Sequence, residues 1–289
     1  MTDPAQPVDL YRVFGNPVHH SQSPWIHQAF ARETGQTLVY ETCEAPLDDF
    51  AGVLRAFIAQ GGRGANVTVP FKEEAYALCD VLSPRARQAG AVNTLQLGKN
   101  GQLYGDNTDG VGLVRDLTQN HGQTLAGKRL LVLGAGGASR GVIAPLLAEQ
   151  PAQLHIANRT AAKAEALAAH FESLGSVSGG GWSSLSDCDV QAAARYDVVI
   201  NATAASLSGE LPPLPDTLFT PEAMAYDMMY GAMPTIFLQW ASSQGAITAD
   251  GLGMLVEQAA ESFFLWRHQR PQTDAVIKAL RQRLNHGAD

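Results

Sequence analysis

Cysteine is scarce in this sequence. Cys43, Cys79 and Cys188 are odd in number, far apart and without paired metal-ligand spacing. That pattern argues against a disulfide framework or a bound metal and fits buried thiols in a reducing compartment. Positive charge is short as well: 20 Lys plus Arg stand against 28 Asp plus Glu, a formal charge of -8, which disfavours nucleic acid as a partner. The N-terminus has no basic segment followed by an apolar one, and no apolar run is long enough to cross a bilayer. Internal repeats and long low-complexity tracts are missing too. The expectation is a soluble cytoplasmic protein with no membrane partner, and 289 residues favour two domains over one.

What the chain does contain is organised around Leu130–Ser139, Leu-Leu-Val-Leu-Gly-Ala-Gly-Gly-Ala-Ser. A branched apolar run suits a buried parallel strand, and the glycines after it allow a sharp turn and close approach to a ligand. A helix over Ala138–Leu147 would point its unpaired N–H groups and positive dipole end at a pyrophosphate. Gly134, Gly136 and Gly137 would then lie under a dinucleotide, with Ser139 where a third glycine usually stands. After a strand at Gln153–Ala157 comes Asn158-Arg159-Thr160, with no Asp or Glu where an NAD-binding unit places one roughly 20 residues past the glycines. Arg159 and Lys163 suit the 2′-phosphate of NADP; the alternative is an exposed pair of cations on a solvated helix start. Thr203 and Ala204, just beyond a compact strand at Tyr196–Asn201, are further candidates for cofactor contact.

Ahead of this unit lies another α/β layer. A strand is expected at Asp9–Phe14, a helix at Trp25–Thr34, a strand at Leu38–Cys43 and a helix at Leu47–Ile58. Ser21 and Ser23 flank Gln22 just before Pro24, so both suit helix-start capping, Ser23 especially; the other reading is joint hydrogen bonding to a ligand carboxylate. In Asn66-Val67-Thr68-Val69-Pro70-Phe71-Lys72 a short strand passes into a helix with Pro70 near its first position. Lys72 in the first turn opposes the dipole where local rules favour Asp or Glu, a pointer to function; the alternative is an exposed, solvated Lys. A short helix is expected at Ser83–Gln88, with Asn93 in the turn before the next strand. Asp109 occupies an N-cap position before a helix at Val111–Leu117; it is either a cap or a carboxylate paired with Lys72.

Further on, Ala161–Phe171 reads as a helix and Gly175–Gly181 as a surface loop rich in glycine and serine. Leu211–Pro215 reads as a proline-rich loop, Met224–Met228 as a strand and Thr235–Gln244 as a helix. From Gly251 a strongly amphipathic helix begins, with Leu252, Leu255, Val256, Ala259 and Phe263 as its core stripe. Gln258 lies on the stripe's polar border, where spacing does not separate a cleft position from a solvated one.

Taken in order, these segments resemble the shikimate dehydrogenase family along nearly the whole chain. The resemblance is carried by Gly15-Asn16-Pro17, His20-Ser21-Gln22-Ser23-Pro24, Asn66–Lys72, Gly90-Ala91-Val92-Asn93-Thr94 and Gly105-Asp106-Asn107-Thr108-Asp109-Gly110. It continues through Gly134–Arg140, Asn158-Arg159-Thr160, Tyr226-Asp227-Met228-Met229-Tyr230 and Gly251-Leu252-Gly253-Met254 to Gln258. It implies reversible, NADP-dependent reduction of 3-dehydroshikimate to shikimate in aromatic amino acid biosynthesis. Carried over by position, Ser21 and Ser23 would hold the substrate carboxylate, Thr68, Asn93, Asp109 and Gln258 the ring hydroxyls, and Tyr230 would approach the substrate. Lys72, assisted by Asp109, would exchange the proton at the C3 oxygen. Gly134, Ala135, Gly136, Gly137 and Ala138 would face the pyrophosphate, Asn158, Arg159 and Thr160 the adenosine end, and Met228 and Gly251 the nicotinamide. Lys163 stands where relatives often carry Arg, keeping the charge but not the planar fork.

The implied fold is two α/β domains: a substrate-binding, catalytic part at 1–109, a Rossmann-type NADP-binding part at 110–250, and helices at 251–289 returning to the first. The expected assembly is a monomer or homodimer. The competing readings are a quinate/shikimate dehydrogenase preferring NAD and a non-catalytic nucleotide-binding module.

Overall fold

The computed structural model describes residues 8–185, 195–203, 205 and 209–286. Cys188 and Ala204 lie outside them. The architecture is α/β, with two six-stranded sheets. One compact unit runs to Thr108 and includes Gln258–Val276; the other comprises Asp109–Glu257 and the residues from Ile277 on.

The first unit contains β1 (Asp9–Gly15), α1 (Ser23–Glu33), β2 (Leu38–Glu44), α2 (Phe50–Ala59), β3 (Gly62–Val67), α3 (Lys72–Leu78), β4 (Val81–Leu82), α4 (Pro84–Ala89), β5 (Thr94–Leu97) and β6 (Leu103–Asp106). Its sheet order is β2-β1-β3-β5-β6-β4. β1 pairs in parallel with β2 and β3, and β5 runs antiparallel to both β3 and β6. The carboxyl ends of β1, β3 and β6 therefore share one edge of the sheet. Aromatic packing sets the core: Phe14 meets Phe50 and Phe57 edge-on, and Phe50 stacks on Phe71 at 4.8 Å.

Local details correct three expectations here. Helix α1 begins at Ser23, so that residue lies inside the helix; Ser21 supplies the turn instead, its Oγ accepting from the Ser23 N–H at 3.3 Å. Helix α2 starts at Phe50 because the Asp49 side chain caps it, accepting from the Gly52 N–H at 3.1 Å. Helix α3 starts at Lys72 with Phe71 as its N-cap, which leaves Pro70 outside.

The second unit contains α5 (Asp109–Arg115), a π-helical turn (Asp116–Asn120), β7 (Arg129–Leu133), α6 (Gly137–Ala148), β8 (Gln153–Ala157), α7 (Ala161–Phe171), β9 (Val177–Gly180), β10 (Tyr196–Asn201), β11 (Phe219–Asp227), α8 (Ile236–Ser243) and β12 (Ile247–Asp250). Helix α9 (Leu252–Arg267) is divided between the units at Gln258, and α10 (Asp274–His286) between Val276 and Ile277. The order β12-β11-β10-β7-β8-β9 is parallel throughout. Both faces of the sheet are covered, so β7 is apolar after Arg129: Leu130 and Val132 enter one core cluster, Leu131 and Leu133 the other.

Asp109 is the first residue of α5 and not the cap ahead of it. The segment expected as a loop at Gly175–Gly181 contains strand β9, paired with β8 from Leu154↔Val177 to Ala157↔Gly180. Its glycines look like loop residues because α7 crosses so closely: a Cβ on Gly179 would overlap the Ala164 backbone. Strand β12, at the opposite edge, has no counterpart among the expected elements. Among the described residues no helix is long and apolar enough to cross a membrane.

Candidate active site

In the first unit, backbone hydrogen bonds knit together the segments that leave the shared sheet edge. Thr68 donates to Phe14 O at 2.8 Å, Val67 to Asn93 O at 2.8 Å, Asn93 to Asp106 O at 3.0 Å and Val92 to Lys72 O at 2.9 Å. Thr68, Lys72 and Asn93, scattered in the sequence, are fixed to one another by main chain. The Asn93 side chain does more than close a turn. Its Oδ1 accepts from the Thr108 N–H at 2.9 Å, and its Nδ2 donates to Thr108 Oγ1 at 3.0 Å and Gln258 Oε1 at 3.3 Å. Gln258 thus belongs to this cluster and not to a solvated face.

Beneath that layer lies a second one that sequence reasoning missed. Asn66 Nδ2 donates to Asn93 O at 3.1 Å, Thr94 Oγ1 at 3.2 Å and Ser262 Oγ at 3.0 Å, while its Oδ1 accepts from the Tyr40 hydroxyl at 2.7 Å. Burial pushes the Tyr40 phenol well above its ordinary pKa, and Ser23 hydrogen-bonds to it. His27, one turn beyond Ser23, is fully buried and stacks on Tyr40 at 4.3 Å; burial pushes it down to about 3, so it is neutral. The available clue was polarity at strand positions that alternation marks as interior, Asn66 and Thr94 being direct cross-strand partners. The set is uncharged, rigid and rich in both donors and acceptors, which suits a ligand bearing several hydroxyls.

A charged chain flanks it. Arg85 grips Asp106 at 3.1 and 2.5 Å and reaches Glu261 at 3.0 Å, and Glu261 also pairs with Arg270. Burial alone would raise the Glu261 carboxyl, but Arg270 and Arg85 hold it below its ordinary range. Lys72 is half-buried at the first position of α3, and Ser21 and Thr68 are likewise half-buried. Asp109, half-buried, directly follows Thr108 and opens the second unit.

In the second unit, β7 and β10 meet where the strand order reverses, the usual ligand crevice of an open α/β sheet. Gly134 takes φ +105°, which favours glycine, and a Cβ there would meet Thr203 Cγ2 at 3.0 Å. Ser139, standing in for the third glycine, is buried and donates to Gly134 O at 2.8 Å, so it pins the turn. Ala135 is half-buried, whereas Gly136, Gly137 and Ala138 are exposed at the head of α6. Nothing lies within 4 Å of where a Cβ on Gly136 or Gly137 would sit. That open cradle of N–H groups fits a pyrophosphate.

At the head of α7, Asn158 Nδ2 donates to Thr160 O at 3.0 Å, shaping the turn that leaves Arg159, Thr160 and Lys163 exposed. Two cations with no acid on this turn fit an additional phosphate. Thr203 donates through both N–H and Oγ1 to Asn201 Oδ1, at 3.1 and 2.7 Å, and Asn201 donates to the buried Asp227 at 3.1 Å. The Met228 N–H donates to Asn201 O at 2.9 Å and the Gly251 N–H to Met229 O at 3.1 Å. A Cβ on Gly251 would overlap the Met228 carbonyl, so the contact between these two candidates requires glycine. Tyr230 is half-buried, and burial, then the charge of Asp250, keeps its phenol protonated. Arg281 pairs with Asp250 and donates to Gly231 O at 2.8 Å.

Family descriptions match successive parts of the chain: "Shikimate dehydrogenase substrate binding domain" over residues 13–95, "Shikimate / quinate 5-dehydrogenase" over 116–208 and "Shikimate 5'-dehydrogenase C-terminal domain" over 251–281. The shikimate dehydrogenase (NADP(+)) of Chromohalobacter salexigens is 62% identical over 276 residues, 96% of this chain and 99% of that one. Among solved structures, an Ael1 enzyme from Pseudomonas putida is 45% identical with a TM-score of 0.87, over 94% of this chain and 98% of that one. A shikimate 5-dehydrogenase from Thermus thermophilus, in complex with NADP(H) and shikimate, is 34% identical with a TM-score of 0.81, over 96% of this chain and 100% of that one.

Proposed function

The chain belongs to the shikimate dehydrogenase family, and from that premise we propose how its residues divide the work. It is an NADP-dependent oxidoreductase that reversibly reduces 3-dehydroshikimate to shikimate, on the route to aromatic amino acids. The observation that carries this reading is the uncharged Asn93–Thr108–Gln258 cluster, held by main-chain bonds beside Thr68 and Lys72. Neutral amides and hydroxyls recognise a polyhydroxylated ring at little desolvation cost.

In this reading Ser21 and Ser23 hold the substrate carboxylate, and Thr68, Asn93, Asp109 and Gln258 hold ring hydroxyls. Tyr230 approaches the substrate as a protonated phenol. Bound NADPH supplies the hydride. Reduction leaves an alkoxide at C3, and the Lys72 ammonium stabilises that charge and gives up the proton, with Asp109 assisting. Gly134, Ala135, Gly136, Gly137 and Ala138 take the pyrophosphate. Asn158, Arg159, Thr160 and Lys163 take the adenosine end with its 2′-phosphate, with Thr203 and Ala204 beside the cofactor and Met228 and Gly251 at the nicotinamide. The first unit is accordingly the substrate-binding part and the second the coenzyme-binding part. The reading extends to a cytoplasmic monomer or homodimer, which sizing chromatography of the native protein separates.

The test is direct. Mixing protein, NADP and shikimate should raise absorbance at the reduced-nicotinamide band, and NAD or quinate should give much slower initial rates. No NADPH formation, or faster turnover of quinate with NAD, would overturn the reading.

A further inference from the structure

Asp116 is a buried carboxylate that this division of labour leaves without a task. Only 1% of it is exposed, in the π-helical turn after α5. The Tyr226 hydroxyl donates to its Oδ2 at 2.6 Å, Asn120 Nδ2 donates to its Oδ1 at 2.8 Å, and His121 Nε2 lies 3.7 Å from Oδ1. The Tyr226 oxygen also accepts from the backbone N–H of Met254, in the first turn of α9. A Cβ on Gly253 would overlap the Asp116 carboxylate, so the head of α9 rests directly on it. Negative charge is favoured at that end of a helix.

Tyr226 lies two residues before Met228, and Gly251 immediately precedes α9. One carboxylate therefore braces the end of β11 against the start of α9, the two segments that hold Met228 against Gly251. We propose that Asp116 is a positioning residue for the nicotinamide end of the coenzyme site, fixing Met228 and Gly251 through Tyr226 and Gly253. The proposal rests on the assignment of Met228 and Gly251 given above. Its energetic basis is the charge-assisted hydrogen bond from Tyr226, which is stronger than a neutral one and is made where no water competes.

The full-length enzyme tests it with two variants that keep most of the packing. Asp116→Asn forces one of the two donors, Tyr226 or Asn120, to face an amide N–H; Tyr226→Phe deletes the hydroxyl alone. Each should raise KM for NADP about tenfold, the scale of one well-placed buried hydrogen bond, and leave KM for shikimate near the parent value. The primary isotope effect on kcat with shikimate deuterated at C3 should increase, because a misplaced nicotinamide slows the hydride step. An unchanged KM for NADP and an unchanged isotope effect in variants that melt like the parent would overturn the proposal, and so would equal losses toward both substrates that merely follow Tm. Met228→Ala separates the two ideas: if it weakens NADP while the Asp116 and Tyr226 variants do not, only the bracing role fails, and if it too leaves NADP binding unchanged, the nicotinamide assignment fails with it.

Discussion

The two units proposed as substrate side and coenzyme side are built from different materials. In the first unit the candidate ligand groups are side chains; Asn93 is bonded to Thr108 and Gln258, and the buried layer beneath is bonded in turn, Tyr40 to Asn66 and Asn66 to Thr94 and Ser262. In the second unit the cradle is exposed main chain at Gly136 and Gly137, with Arg159 and Lys163 standing in solvent. A buried side-chain network couples binding to stability, since removing any member leaves others unsatisfied. An exposed backbone cradle does so less, since nothing lies within 4 Å of where a Cβ on Gly136 or Gly137 would sit. The first design suits a fixed orientation; the second leaves main-chain N–H groups open to an anionic ligand.

Breaking the substrate side at its reactive group gives the largest effect. Lys72→Ala should lower kcat by roughly 10²–10⁴-fold with a much smaller change in KM for shikimate, as expected for loss of a general acid; steady-state rates check it, and near-normal turnover would remove Lys72 from the chemistry. Asn66→Leu should destabilise the protein by about 3 kcal/mol, because Tyr40, Thr94 and Ser262 all lose a partner; denaturant unfolding measures this. The coenzyme side should behave oppositely. Arg159→Ala should weaken NADP by about 10–100-fold, the worth of a charge-assisted contact to phosphate, while NAD affinity and Tm hold. Gly137→Ala, a change into open space at the first position of α6, should leave Tm equal or slightly higher yet weaken NADP, as titration of NADPH fluorescence would show.

The smallest effect at neutral pH concerns His27. Its pKa falls from 6.5 to about 3 on burial, so between those values the unfolded chain binds a proton that the native protein refuses. Stability should then drop as pH falls through that window, by up to about 1.4 kcal/mol per pH unit. His27→Phe should flatten the dependence of Tm on pH, leaving the weaker contribution of His155, which burial also lowers. An equally steep profile in that variant would exclude His27 as its source.

Much of the coenzyme side was legible in the chain because its determinants are local. A strand covered on both faces reads as the apolar run Leu130–Leu133, a tight turn as glycines, and the missing acid near Asn158 is seen directly. The same locality misled at Gly175–Gly181, where glycines serve the close approach of α7 and an edge strand gains its order from pairing with β8. On the substrate side Lys72 stood out for opposing a helix dipole, but Asn93 and Asp109 looked like ordinary turn and capping residues. Their hydrogen-bonding partners and helix positions emerge only in the folded chain.

Sequence by itself determined the α/β character, the glycine turn that ends in a helix, and the cationic pair at Arg159 and Lys163, since periodicity, backbone freedom and charge act over a few residues. Tertiary structure decided which polar side chains meet. Asn66 reaches Ser262 across 196 positions and Tyr226 reaches Asp116 across 110. No short-range rule encodes such pairs: a buried polar group must find a partner, and the fold alone brings that partner within hydrogen-bonding distance.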